Sequence, residues 1–302
     1  PTETVYGLAG DINNPNAIRK IFETKKRPSF DPLIVHIPNK ESAKSLALEW
    51  TEVHDLLAHQ FWPGPLTMVL PKQKHISDAI TAGLETVGIR CPNHSMFLQI
   101  LTQLGSPLAA PSANMFTKTS PTSAHHVLSE FGEDFPVVDG GPCQVGLEST
   151  ICKITHINPA KKTCDIHILR RGLLLPEDIH QYLKTQGWMP TIEHNQNTIA
   201  PGQMKTHYKP SVPLVIINSD PIPSNDKILE ALKSEFNTTH IAWMQLPDSA
   251  PMAARELYSQ MRTLSQKPTT LIICPWQKHW ATEAWEAIAD RLGRAADKTV
   301  NL

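Results

Sequence analysis

From Pro213 to the C-terminus, short apolar runs alternate with helical stretches, and this alternation restricts the possible folds more than any other feature of the chain. "PLVIIN", "HIAWMQLP" and "TTLIICP" are separated by helical patterns around 225–236, across Ala253–Leu264 and across Glu283–Ala295. Apolar runs of about four to eight residues set between helices mark a small parallel α/β domain. The first half mixes the same ingredients less regularly. Residues 14–27 read as a helix, with Asn14 as cap, Pro15 in the first turn and Ala17, Ile18, Ile21 and Phe22 on one face. "DPLIVHI", "LTMVL" after a stiff Pro-Gly-Pro turn, "ETVGIRCP", "SPLAAPSAN" and "DIHILRRG" read as strands. "SPTSAHHVLSEF" reads as a helix capped by Ser120 or Thr122, and "PVVDGGPCQVGLESTICKI" as strand, glycine turn and strand. Without strict alternation, these elements point to a sheet of mixed direction.

The two halves meet across Trp188–Pro213, which has four prolines and little apolar periodicity and reads as a long linker. A length of 302 residues fits two domains. With 28 Lys and Arg against 29 Asp and Glu, no net field steers the chain to nucleic acid or membrane, so an anionic ligand must be met by a local cluster. No run approaches the roughly 18 apolar residues of a membrane span, and no signal peptide is visible. Cys91, Cys143, Cys152, Cys164 and Cys274 are scattered, without a CxxC, as expected for reduced thiols in a cytoplasmic protein. The 14 histidines show no HExxH-type ligand spacing.

The candidate site residues lie at strand ends and loops of the first half. As an extended segment, "PTETVYGLAG" places Thr2, Thr4 and Tyr6 on one face, with Gly7 releasing the chain. Lys25 and Arg27 end a helix, while Arg170 and Arg171 close a strand. Arg90 falls in a strand that should be mostly buried, where a guanidinium needs an anionic partner. Ser112, Asn114, Thr119, Ser120, Ser149 and Thr150 offer small polar groups where strands end. His36 is a lone imidazole in an apolar strand, with no nucleophile beside it in sequence, and His125 and His126 read as surface residues of a helix. GxxxxGK[ST] and GxGxxG are both missing, so a bound nucleotide would be gripped by side chains converging from several loops. The residues alone describe an anion-binding α/β domain, with a nucleotide as the favoured anion, tethered to a smaller α/β domain.

In order along about the first 175 residues, "PTETVYGLAG", "KKRPSFDPLIVHI", "FWPGPLTMVL", "ETVGIRCP", "APSAN…SPTSA", "DGGPCQVGLESTI" and "ILRRG" resemble the threonylcarbamoyl-AMP synthase family, with its YrdC-like domain. "APGQMKTHYKP" and "LPDSAPMAARELYSQMR…AIADRLGRAA" resemble the longer, two-domain form of that family. The resemblance implies a YrdC-like twisted mixed sheet with a concave basic cleft across 1–187 and a linker across 188–213 that closes over the site. Across 214–302 it implies a smaller parallel, Rossmann-like α/β domain with a regulatory or cleft-closing role. It further implies a helix and a sheet edge preceding Pro1. The implied activity is that of a cytoplasmic nucleotidyltransferase condensing L-threonine, bicarbonate or carbon dioxide, and ATP to threonylcarbamoyl-AMP and pyrophosphate. Mg2+ would arrive with ATP, and a separate complex would transfer the product's acyl group to tRNA.

By the same resemblance, Thr4, His36, Arg90, the backbone near Ala110, and Ser149 form the threonine pocket, with Arg90 pairing the substrate carboxylate. ATP would be met by Lys25, Arg27, Asp31, Thr86, Ser112, Asn114, Ser120 and Arg170, under a cover of His207 or Tyr208. Lys25 and Arg27 would position the reactants, and no acid–base residue is implied. The chain departs from the family pattern at Asp31, where Asn is common, at Arg171, where Pro is common, and at Ser265, where Asp is usual. Two rival readings are a module that binds tRNA through the same cleft, which near-zero net charge disfavours, and an inactive homologue whose second domain is an interaction platform.

Overall fold

The structure is a computed structural model and describes residues 1–193, 207–232, 235–236 and 240–301. In chain order the first half comprises β1 (Gly10–Asp11), α1 (Pro15–Lys25), β2 (Ile34–His36), α2 (Lys40–Ala43), α3 (Glu52–Phe61), β3 (Leu66–Pro71), α4 (Asp78–Thr81) and β4 (Thr86–Arg90). It continues through α5 (Ser95–Leu104), β5 (Leu108–Ala109), α6 (Ala124–Phe131), β6 (Thr150–Asn158), β7 (Thr163–Arg170), α7 (Pro176–Thr185) and β8 (Met189–Glu193). The second half follows as β9 (Leu214–Asn218), α8 (Asn225–Leu232), β10 (Ile241–Trp243), α9 (Ala250–Leu264), β11 (Leu271–Trp276), α10 (Glu283–Ala295) and β12 (Lys298–Val300).

Among the described residues, eight strands form one sheet in the order β1-β5-β2-β4-β3-β6-β7-β8. Its direction is mixed: β2 runs parallel to β4 and β3 to β6, whereas β3 and β4 are antiparallel, as are β6 and β7. The period-two alternation of strands gives the sheet two different faces. Val35, Val87, Ile89, Leu66, Met68, Leu70, Cys152, Ile154 and Ile166 point into the main core together with Ile18, Leu57 and Leu183 from α1, α3 and α7. The intervening residues Ile34, His36, Thr67, Gly88 and Arg90 face the other way, towards the cleft described below. A second sheet, β10-β11-β9-β12, is wholly parallel. Leu257 and Met261 of α9 and Ile288 and Leu292 of α10 pack against it in a core that also takes in Val5, Leu147 and Tyr208 from outside the second half.

Several local expectations change. Residues 1–6 are not a strand. The Thr2 hydroxyl instead donates to the Val5 carbonyl at 2.6 Å and accepts from the Val5 amide, which curls the segment. Tyr6 therefore turns away from Thr4, packs with Ala113 and Val127 and donates to the Gly141 carbonyl. Gly7 makes an isolated bridge to Ser112, and a Cβ there would lie 3.1 Å from Ala110 Cβ; close approach, not a turn, is its requirement. The strand read in "SPLAAPSAN" has just two residues, and residues 136–149 are irregular. α6 begins after Ser123, whose hydroxyl accepts from the His126 amide, so neither Ser120 nor Thr122 is the cap. The linker expected from 188 starts later, because Met189–Glu193 adds to the sheet parallel to β7. Of the remainder, residues 194–206 lie outside the described residues.

Candidate active site

The open face of the large sheet ends in a cleft reached by Arg27 just after α1, the ends of β2, β4 and β7, the 110–112 and 148–149 segments, and the 207–208 segment. Ten of the residues singled out from sequence line it: Thr4, Arg27, His36, Arg90, Ala110, Ser112, Ser149, Arg170, His207 and Tyr208. They bring three guanidiniums, two imidazoles and several hydroxyls into one space.

Arg90 and Arg27 are each backed by a carboxylate, and Arg170 is held by Ser149. Arg90 Nη2 lies 2.7 Å from Glu3 Oε1, both side chains being nearly inaccessible, while Nη1 donates to Thr4 Oγ1 at 2.9 Å and Nε to the Gly64 carbonyl at 3.2 Å. Glu3, not a substrate carboxylate, is thus the partner that makes burial of this cation tolerable. A guanidinium has five N–H donors, so one on each terminal nitrogen remains beyond these three contacts. Arg27 Nη2 lies 2.9 Å from Asp31 Oδ2, four residues on, and donates to the Pro32 carbonyl. Burial raises the Asp31 carboxyl above its ordinary value, although the Arg27 charge opposes this. Arg170 donates from Nε to the Ser149 carbonyl and from Nη2 to Ser149 Oγ, both at 3.0 Å, and Ser149 Oγ also meets Thr67 Oγ1 at 2.8 Å.

Behind Ser149 stands Glu148. Burial alone would raise its carboxyl, but Arg291 of α10, Arg170 and the Ser120 hydroxyl hold it down at about 2. The imidazoles move the other way: burial, with the Arg90 charge beside it, lowers His36 to about 3, and burial lowers His207 to about 4. Both are neutral near pH 7, so they add hydrogen-bonding capacity without charge.

His207 and Tyr208 form one wall of the cleft. The segment is pinned by Thr119 Oγ1 donating to the Tyr208 carbonyl and by backbone bonds from Thr119 to Lys209 and from Lys209 to Thr117. Tyr208 has φ +65°, a left-handed conformation that costs a non-glycine residue about 1–3 kcal/mol and clusters at functional sites.

Five expected site residues are not brought into the lining. Lys25 is fully buried, with Nζ donating to the Ser112 and Asn114 carbonyls; burial and the Arg27 charge hold its ammonium well below the usual lysine value. It staples α1 to the 112–116 loop and does not line the cleft. Asn114 donates to the Met115 and Lys118 carbonyls, Ser120 donates to Glu148, and Asp31 sits behind Arg27. Thr86 is on the correct face of β4 but pairs with Pro71 at the opposite end from Arg90, about 13 Å along the strand at the usual rise. His125 is exposed and His126 partly so, its ring bonded to Thr122.

Glu3, Glu148, Tyr258 and Arg291 were missed as site residues. Glu148 stood within a quoted motif, but nothing local to Tyr258 or Arg291 marks either as reaching the other half. The departures from pattern have structural roles: Arg171 pairs with Glu286 of α10, and the Ser265 hydroxyl caps α9 by donating to the Met261 carbonyl.

Residues 1–172 match the family model Sua5_yciO_yrdC, described as telomere recombination, and residues 175–297 match threonylcarbamoyl-AMP synthase, C-terminal domain. Threonylcarbamoyl-AMP synthase of Pyrococcus abyssi (strain GE5 / Orsay) is 40% identical over 288 residues, covering 90% of this chain and 83% of its own. The Bacillus subtilis (strain 168) protein of that name is 41% identical over 224 residues, covering 73% of this chain and 63% of its own. The crystal structure of P. abyssi Sua5 complexed with L-threonine superposes with a TM-score of 0.83 at 32% identity, covering 100% of this chain and 91% of that one.

Proposed function

We infer that this chain, which belongs to the threonylcarbamoyl-AMP synthase family, condenses L-threonine, bicarbonate or carbon dioxide, and MgATP to threonylcarbamoyl-AMP and pyrophosphate. The reaction is a nucleotidyl transfer. Threonine's amine and carbon dioxide form a carbamate; a carbamate oxygen attacks the α-phosphorus, and the bond to the β-phosphate oxygen breaks to release pyrophosphate. No covalent enzyme intermediate is needed, so catalysis rests on positioning and on charge stabilisation.

In this reading Thr4, His36, Arg90, the Ala110 backbone and Ser149 take the amino acid. The remaining N–H donors of Arg90 suit a carboxylate, and neutral His36 adds a hydrogen bond without another charge. Arg27, Ser112 and Arg170 take the phosphates, and His207 and Tyr208 cover them. Magnesium enters as the ATP salt, with phosphate oxygens as its main ligands. The product's fate would be transfer of the threonylcarbamoyl group to a tRNA adenosine by a separate cytoplasmic machinery.

The observation carrying this reading is the convergence of Arg27, Arg90 and Arg170 on one cleft beside a ready hydroxyl set. Pyrophosphate release from MgATP, with threonine and bicarbonate present and then each omitted, is the test. Release requiring both establishes the reaction; release indifferent to threonine, or none at all, refutes it.

A further inference from the structure

No described residue of the second half lines the cleft, yet two of its side chains reach the residues that form its wall. Arg291 of α10 is completely buried; its Nη1 pairs with Asp290 of its own helix at 2.8 Å, and the rest of its guanidinium contacts reach three parts of the site. Nε donates to Glu148 Oε2 at 3.0 Å, and Nη2 donates to the Arg171 carbonyl at 2.8 Å. Its Cζ lies 5.3 Å from the centre of the Tyr208 ring. Glu148 immediately precedes Ser149, and Arg171 immediately follows Arg170. A single side chain therefore holds the residues on either side of the Ser149–Arg170 pair while supporting the tyrosine that covers it. Tyr258 of α9 completes the arrangement: its hydroxyl donates to Glu148 at 2.9 Å, and its ring stacks on Tyr208 with centroids 5.6 Å apart. Where the halves meet, Gly146 has φ +77°, and a Cβ there would stand 2.5 Å from Arg255 Cα, so the 146–148 segment lies directly against α9.

We propose that Arg291, assisted by Tyr258, is a positioning residue for the cleft, fixing Arg170, Ser149 and Tyr208 from the C-terminal half. Glu148 and the nucleotide compete for Arg170. Glu148 lines a cleft meant for phosphates, where an unneutralised carboxylate would repel the ligand. Arg291 neutralises it from behind and leaves Arg170 bonded to Ser149. Without Arg291, Glu148 is a buried carboxylate whose nearest cation is Arg170, and that cation is drawn away from the nucleotide. The docked C-terminal half is thereby a condition for nucleotide binding, although neither residue is required to touch substrate.

This proposal rests on the synthase reading for its assay but not for its logic. The test compares wild type with Arg291→Met, Tyr258→Phe and the double variant Glu148→Gln/Arg291→Met. The readouts are kcat and KM for pyrophosphate release, MgATP binding by calorimetry, and thermal midpoints that allow all assays to run on folded protein. Arg291→Met is expected to raise the ATP KM and weaken calorimetric binding by about 10- to 100-fold, the usual worth of one charge-assisted hydrogen bond from Arg170 to the nucleotide. The double variant is expected to recover most of that loss, because Arg170 no longer has a carboxylate to pair with. Loss of stability alone would leave KM per folded molecule unchanged. If Arg291→Met does not fold, Tyr258→Phe carries the test, with a change of about 3- to 10-fold in the same direction, the net worth of the single hydrogen bond it deletes. Wild-type ATP affinity in folded Arg291→Met, or in Tyr258→Phe where that variant decides, overturns the proposal, as does a double variant no better than the single. Should wild type show no threonine-dependent release, the synthase reading fails by itself, and calorimetry with MgATP still decides the role of Arg291.

Discussion

Replacing Arg90 with methionine should destabilise the protein far more than removal of a surface charge. The guanidinium and its partner Glu3 have side-chain exposures of 4% and 5%, and they meet at 2.7 Å. In Arg90→Met, the Glu3 carboxylate remains buried without its cation, and the Thr4 hydroxyl and Gly64 carbonyl each lose a donor. Breaking a buried pair in this way costs about 3–5 kcal/mol. For a cooperative unit of roughly 150–250 residues, at about 2–4 °C per kcal/mol, the thermal midpoint should fall by about 6–20 °C. Glu3→Gln in the same background removes the stranded charge and should return about half of the loss or more, since a neutral amide costs less to bury than a carboxylate. Urea titration followed by circular dichroism measures both variants, with an unchanged slope showing that the same unfolding is compared. An Arg90→Met protein within about 1 kcal/mol of wild type would refute the assignment of Glu3 as the essential partner, because that lies well below the expected cost. A double variant no more stable than the single would do the same.

Arg27→Ala should cut the rate of pyrophosphate release by about 100- to 1,000-fold, the usual effect of deleting one well-placed donor; Asp31→Asn, which leaves Arg27 in the cleft, should stay within about tenfold of wild type on that scale. Equal losses in the two variants would mean that the pair acts structurally. Gly146→Ala meets both a left-handed φ and a backbone contact of 2.5 Å, so it should lower the thermal midpoint and loosen the contact between the halves, which increased protease cutting would reveal. The Glu148 carboxyl, at about 2 when folded against an ordinary 4.5, contributes stability that is present above pH 4.5 and lost as pH falls towards 2. The expected loss is on the order of 3 kcal/mol, and a Glu148→Gln variant should not show this component in acid titrations monitored by circular dichroism.

Much of the fold was legible because its signals are local. The apolar periodicity and the Asn14 cap mark α1, and period-two alternation in "TVGIR" separates Val87 and Ile89 from Thr86, Gly88 and Arg90 before any partner strand is known. The regular spacing of the C-terminal runs likewise marks a parallel sheet. Misread stretches were those in which side chains outcompeted backbone pattern: the Thr2 hydroxyl curls residues 1–6, and Ser123 takes the cap from two equally plausible neighbours. β8 was hidden because Pro190 and polar residues are acceptable at a sheet edge.

For the cleft, the sequence by itself determined which residue types were available: three arginines at element ends, small hydroxyls where strands stop, and a single imidazole on β2. Only the tertiary structure decided their use. Lys25 and Arg27 lie two positions apart on one helix end, yet one is spent on carbonyls in the interior and the other opens to the cleft. Ser120 and Ser149 are the same residue type, and only the second faces the ligand space. Above all, the carboxylates that balance Arg90 and Arg291 come from afar, Glu3 for the first and, 143 residues away, Glu148 for the second, whereas Arg27 finds Asp31 four residues on. Burial creates the need for a counter-charge, and any acidic residue can supply it. Which one does so is set by packing of the two halves, for which no local sequence pattern exists.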